Sequence, residues 1–259
     1  MIFSPKNREE IDKAIKIYCE NKDSGIKIYG KISSWDVSNI TDMRILFKYK
    51  CNFNENISNW DTSNVVSMDS MFMDAKSFNQ PLDSWNVSSV ENMEYMFTDA
   101  NSFNQPLNSW DTSKVENMDR MFASAKSFNQ PLDSWNTSNV RYMNFMFKNA
   151  ENFNQPLNSW DTSNVEEMMN MFCNASSFNQ SLNSWDISNV DNMEDMFWNA
   201  KSFNQSLDSW NTSNVESIDD MFEGADQMLK TFPKLTETPD ITNWKENFYR
   251  AKPTKGAQY

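Results

Sequence analysis

Residues 103–127 read FNQPLNSWDTSKVENMDRMFASAKS, and the sentence begins again at residues 128–152 as FNQPLDSWNTSNVRYMNFMFKNAEN. Trp35, Trp60, Trp85, Trp110, Trp135, Trp160, Trp185 and Trp210 mark the same place in eight successive units of 25 residues. A fixed period of this length is the mark of stacked repeats, in which each unit buries its apolar side against its neighbours rather than in one central core. The repeats cover residues 32–225, with an N-terminal helical cap over 1–31 and a C-terminal cap and tail over 226–259.

Within one unit, Ser113 stands three residues before Glu116, the spacing of a capping box. Met118, Met121, Phe122 and Ala125 then follow the i, i+3, i+4, i+7 rule of an amphipathic helix, which predicts about three turns ending near Ala125. Pro131 suits the start of a strand, and Leu132-x-x-Trp135-x-Thr137 matches the strand signature of leucine-rich repeats. The expected fold is therefore an α/β repeat solenoid, leucine-rich-repeat-like, with short parallel strands on the concave face and short helices on the convex face. Leu132, Trp135 and Thr137 are expected to point inward, and Asp133, Ser134 and Asn136 outward. The recurring Met and Trp are read as packing. Asn54, Asn79, Asn104, Asn129, Asn154, Asn179 and Asn204 are read as an internal hydrogen-bonding ladder.

At the ends, Ser4-Pro5 is expected to open a helix whose stripe of Ile11, Ala14, Ile15 and Tyr18 covers the first unit. A short helix is expected from Thr242 to Tyr249, followed by a mobile or partner-bound tail, Lys252 to Tyr259.

Composition narrows the function. The chain carries 23 basic and 36 acidic side chains, and 27 of the acidic ones fall within 32–225 against 10 basic ones. Such a body repels phosphate and anionic lipid, so nucleic-acid binding is disfavoured. There is no histidine, and Cys19, Cys51 and Cys173 form neither a disulfide framework nor a metal clamp. No run of 18 apolar residues exists and no secretory leader is visible, so no membrane insertion is expected. The expected setting is cytoplasmic, or a virion or other particle assembled in cytoplasm. No catalytic constellation, cofactor or metal site is expected, and the chain is read as not an enzyme.

The repeat F-N-Q-x-L-x-x-W-[DN]-x-S-x-V-x-x-M-x-x-M-F-x-x-A resembles the BspA-like surface-protein repeat, long filed as a mycoplasma-type domain of unknown function. The resemblance covers about residues 32–225 and implies a role in adhesion or protein interaction, with no catalytic residues to carry over. The lead-in from Pro5 to Asp36 is similar to that of large-virus and algal versions of the repeat, which implies a viral origin.

Two sets of residues are candidate binding sites. On the expected concave face, Asp36, Asp61, Asp111, Asp161 and Asp186 alternate with Asn in the column after each Trp. Asp83, Asp133 and Asp208 lie in the column two residues before it. Each unit carries one Asp across the pair, which spaces the charges. The columns read either as a solvated Asx ladder or as an acidic groove for Ca²⁺ or a basic peptide. On the expected convex face, Tyr95, Arg120 and Phe145 fall in successive units, with Tyr142 one helical turn before Phe145. Residues of these types anchor protein interfaces, and the alternative is scattered surface aromatics. The favoured function is a non-enzymatic protein-interaction or structural module, a component of a larger assembly, binding another protein or forming an oligomer.

Overall fold

The computed structural model describes residues 2–248, and the repeats in it are built from turns rather than from helices and strands. The only α-helices among the described residues are α1 (Arg8–Glu20), α2 (Lys22–Tyr29), α3 (Asp226–Thr231) and α4 (Trp244–Asn247), all outside the Trp-bearing units. No sheet forms. Isolated parallel bridges at Asp42↔Ser67, Ser67↔Asn92, Asn92↔Asn117 and onward to Ser217 join each unit to the next. The expected α/β solenoid of leucine-rich-repeat type is overturned.

The physical reason lies in the backbone of the M-x-x-M-F-x-x-A segment. Arg120 (φ 56°) and Ser124 (φ 57°) are left-handed, and the same two positions are left-handed in every unit. A left-handed residue every fourth position ends each helical turn before a second can follow. The N–H groups then divide. Those of Met118, Arg120, Phe122 and Ser124 reach forward to the carbonyls of Tyr142, Asn144, Met146 and Lys148 in the next unit, at 3.0, 2.8, 3.0 and 2.7 Å. Those of Met121, Ala123 and Ala125 close turns onto Met118, Arg120 and Phe122, at 3.2, 3.0 and 3.0 Å. Both sets of buried backbone groups are thereby satisfied without a helix or a ladder strand.

The expected burial nevertheless holds. Met118, Met121, Phe122 and Ala125 are completely buried, because successive three-residue turns place side chains at spacings of three and four, as a helix does. Leu132, Trp135 and Thr137 are also buried, while Asp133, Ser134 and Asn136 are exposed. This stretch is not a strand, however. Trp135 donates its N–H back to Leu132, 3.2 Å away, and turns occupy Asp133–Ser134 and Ser138–Asn139.

Side chains hold the units together where the backbone does not. Each Trp from Trp60 to Trp210 donates its indole N–H to the carbonyl 28 residues earlier; Trp135 reaches Leu107 at 2.9 Å and Trp160 reaches Leu132 at 2.9 Å. Neighbouring indoles stack, with Trp135 and Trp160 6.4 Å apart and 1° from parallel. Phe122 and Phe128 stack within a unit at 4.1 Å, and Phe122 meets Phe147 of the next at 5.7 Å. The Asn ladder is present: Asn129 Oδ1 accepts from the Asn154 backbone N–H at 2.9 Å and from Gln155 Nε2 at 3.0 Å. Asn54, Asn79, Asn104, Asn154 and Asn179 repeat this arrangement.

α1 begins at Arg8, capped by the Asn7 side chain, which accepts from the Glu10 N–H at 3.0 Å. The start is thus three residues later than Ser4-Pro5 suggests, because Asn7 supplies the carbonyl oxygen that the first turn needs. The expected stripe, Ile11, Ala14, Ile15 and Tyr18, is buried, and Tyr18 meets Trp35 edge-on at 5.7 Å. Unexpected from sequence, α2 folds back on α1. Gly25 allows this, since a Cβ there would lie 2.6 Å from the Tyr18 Cα.

Of the expected Thr242–Tyr249 helix, the structure forms a single-turn α4 after a 3-10 turn over Ile241–Asn243; Tyr249 and the Lys252–Tyr259 tail lie outside the described residues. Trp244 extends the tryptophan row, stacking on Trp210 at 6.3 Å and donating to the Leu207 carbonyl at 2.7 Å.

Candidate functional site

The eight acidic candidates beside the tryptophans are all exposed. In the column after Trp, each carboxylate turns back on its own chain. Asp111 Oδ1 accepts the Ser113 N–H at 3.1 Å, and Asp61, Asp161 and Asp186 accept from Ser63, Ser163 and Ser188 at 3.0, 3.0 and 2.9 Å. Asp36 accepts both the N–H and the hydroxyl of Ser38. Asn86 and Asn136 do the same for Ser88 and Ser138 at 3.0 Å. These are Asx turns, which need only a side-chain oxygen, so Asp and Asn interchange freely. The Ser column, with its capping-box spacing at Ser113, is the donating half of these turns. Hydrogen bonds from the serine hydroxyl and N–H hold the carboxyls of Asp36, Asp61, Asp111 and Asp161 below the usual range.

The second column is also engaged. Asp83 takes the Ser109 hydroxyl on both its carbonyl and its carboxylate at 2.6 Å, Asp133 takes Ser159 on its carbonyl at 2.6 Å, and Asp208 takes Ser206 at 2.9 Å. Among the described residues, no group of three or more Cys, Asp or Glu side chains is placed to hold a metal ion. The three cysteines are free, and burial pushes the Cys173 thiol up to about 11.

The second candidate set is partly assembled by the fold. Tyr95, Arg120 and Phe145 occupy the first left-handed column, with φ of 55°, 56° and 57°, so their side chains leave the backbone in parallel. All three are half-buried. The Arg120 guanidinium lies 3.7 Å from the Phe145 ring centre and 5.6 Å from that of Tyr95, a cation held between two aromatic faces. Tyr142 is not part of this stack. It sits in the bridge column beneath Arg141, 5.3 Å from its guanidinium, because the helical turn expected to align it with Phe145 does not form.

Sequence reasoning did not single out the acidic strip beside this stack. Burial, then the Asp69 and Asp119 carboxylates, push Glu94 up, and Arg120 partly offsets them. Burial likewise raises Asp119, opposed by hydrogen bonds from Asn144. The strip is the column one residue before the aromatic one, and its signal was the run Asp69, Glu94, Asp119 at 25-residue spacing.

These features define a repeat protein whose recurring columns are spent on stacking and whose varying columns carry its surface character. The chain belongs to the family described as Mycoplasma protein of unknown function, DUF285, whose model matches residues 19–135, 117–235 and 159–256. No curated protein and no solved structure matches the chain. Among the described residues no helix is long and apolar enough to cross a membrane.

Proposed function

We propose that the protein is a non-catalytic interaction module, a component of a larger assembly, whose partner docks on the face bearing Tyr95, Arg120 and Phe145. The observation that carries this reading is the half-buried cation–aromatic stack beside Glu94 and Asp119. Aromatic and arginine side chains that shed water at low entropic cost are the usual anchors of protein interfaces. Left-handed backbone at bulky residues costs about 1–2 kcal/mol each, and a purely structural column would carry Asn, Asp or Gly, as the second left-handed column mostly does. The acidic columns beside the tryptophans support a groove less well, because most of their carboxylates already accept hydrogen bonds from serines.

The test is the double variant Tyr95→Ala with Phe145→Ala, compared with the native chain in capture of a partner from native lysate. Loss of capture by at least about tenfold, corresponding to about 1.4 kcal/mol, with an unchanged thermal midpoint is the expected result. Undiminished capture by the folded variant rejects this face.

A further inference from the structure

The first unit exposes an edge that every later unit has covered. In the interior, the carbonyls of Asn117, Asp119, Met121 and Ala123 accept the N–H groups of Met93, Tyr95, Phe97 and Asp99 at 3.0, 2.9, 2.9 and 2.8 Å. The corresponding carbonyls of the first unit belong to Asp42, Arg44, Leu46 and Lys48. Arg8 from α1 covers two of them, donating one guanidinium N–H to the Asp42 carbonyl at 3.3 Å and another to the Arg44 carbonyl. One arginine fork thus replaces two backbone donors. The Leu46 and Lys48 carbonyls receive no donor among the described residues.

Beside these acceptors stand Ile45, 52% exposed, and Tyr49, 62% exposed, both left-handed. They border a groove of about 330 Å³ that Arg8, Lys16, Lys48 and Lys50 line together with Asp12. Asp12 is already paired to Arg8 at 2.8 Å, whereas Lys16, Lys48 and Lys50 have no carboxylate partner among the described residues. The groove therefore offers backbone acceptors, apolar side chains and unneutralised positive charge at the end of an otherwise acidic stack.

We propose that this edge is a docking site for an extended acidic segment of a partner protein. Its backbone N–H groups pair with the Leu46 and Lys48 carbonyls, its apolar side chains cover Ile45 and Tyr49, and its carboxylates face the three lysines. Edge addition of this kind takes affinity from main-chain hydrogen bonds and selectivity from the flanking side chains. A second copy of this chain is a poorer occupant. The forward N–H groups of its last unit are already taken where Asp220 donates to Thr238 Oγ1 at 3.0 Å and Phe222 to the Glu237 carbonyl at 2.9 Å. The proposal is independent of the Tyr95–Arg120–Phe145 face, whose variants leave this edge unchanged.

The test measures anisotropy of a labelled short peptide of alternating Glu and Val against the whole chain. Two protein variants accompany it: Ile45→Asn with Tyr49→Asn, and Lys48→Glu with Lys50→Glu. The first pair retains the fold, because Asn occupies the same left-handed columns at Asn170 and Asn149. Saturable binding is expected, weakened about tenfold or more by either pair and by N-methylation of alternate peptide residues, a change of about 1.4 kcal/mol. Absence of saturable binding overturns the proposal, as does binding indifferent to both the variants and the methylation. Concentration-dependent growth in mass that Ile45→Asn with Tyr49→Asn suppresses also overturns it, in favour of a second copy as occupant.

Discussion

Trp135→Ala should lower the unfolding free energy by about 3–5 kcal/mol, the range for removing a buried large aromatic side chain. The indole is almost fully enclosed, with Trp110 at 6.3 Å on one side, Trp160 at 6.4 Å on the other and Phe122 at 6.2 Å. Alanine leaves a void in the row and removes one of the two N–H donors to the Leu107 carbonyl, the indole at 2.9 Å, leaving the Trp110 backbone N–H at 3.2 Å. Stability in such a stack is a sum of units and nearest-neighbour interfaces, so a break in the middle uncouples the halves as well as weakening the chain. Urea unfolding should therefore show both an earlier midpoint and a smaller slope. A two-state transition displaced by less than about 1 kcal/mol, within the range of an ordinary surface change, would contradict the packing role.

The second large effect is expected at Asn129. Its side-chain oxygen is the shared acceptor for the Asn154 N–H and Gln155 Nε2, at 2.9 and 3.0 Å. Asn129→Ala deprives two donors at a half-buried site, for a loss of about 2–4 kcal/mol. Asn204 supplies the control. It donates its N–H to Asn179 like the others, but among the described residues its own oxygen meets only Gln205 Nε2, at 3.3 Å. Asn204→Ala should cost less than about 1 kcal/mol, a single weak hydrogen bond. Equal losses at the two positions, measured by urea unfolding, would show that the asparagines act through something other than the ladder.

The 25-residue period, the buried columns and the asparagine ladder are legible in the sequence because they follow from the repeat alone. The elements are not. Met118, Met121, Phe122 and Ala125 satisfy the helical rule, yet chained turns closed by left-handed residues give the same spacings. A local signal against the helix was present in Asp74, Asp99, Asn149, Asn174, Asn199 and Gly224, the column before each Ala, whose residue types tolerate left-handed backbone. The first left-handed column hid the pattern, since Ile45, Tyr95, Arg120 and Phe145 have no such tolerance. Their conformation is imposed by forward hydrogen bonds such as that from Arg120 to Asn144 at 2.8 Å, which no single unit can reveal.

The candidate sites divide for the same reason. Tyr95, Arg120 and Phe145 share a column 25 residues apart and meet whatever the local backbone, while Tyr142 was attached through a helical turn that does not exist. Trp244 was missed as the next member of the row because it stands 34 residues after Trp210 rather than 25. Its signal was Ile241-Thr242-Asn243-Trp244, which repeats the spacing of Leu207 to Trp210.

If each unit is a chain of turns with fixed left-handed positions, glycine substitution reads this by its sign. Ile45 is left-handed and half exposed, so little packing is lost on changing it, while Lys48, three residues on, is outside the left-handed set. Measured by urea unfolding, Ile45→Gly should raise stability by about 1 kcal/mol, by relieving left-handed strain. Lys48→Gly should lower it by about 0.5–1 kcal/mol through backbone entropy. A loss at both positions is the result for a helical repeat and would contradict the account.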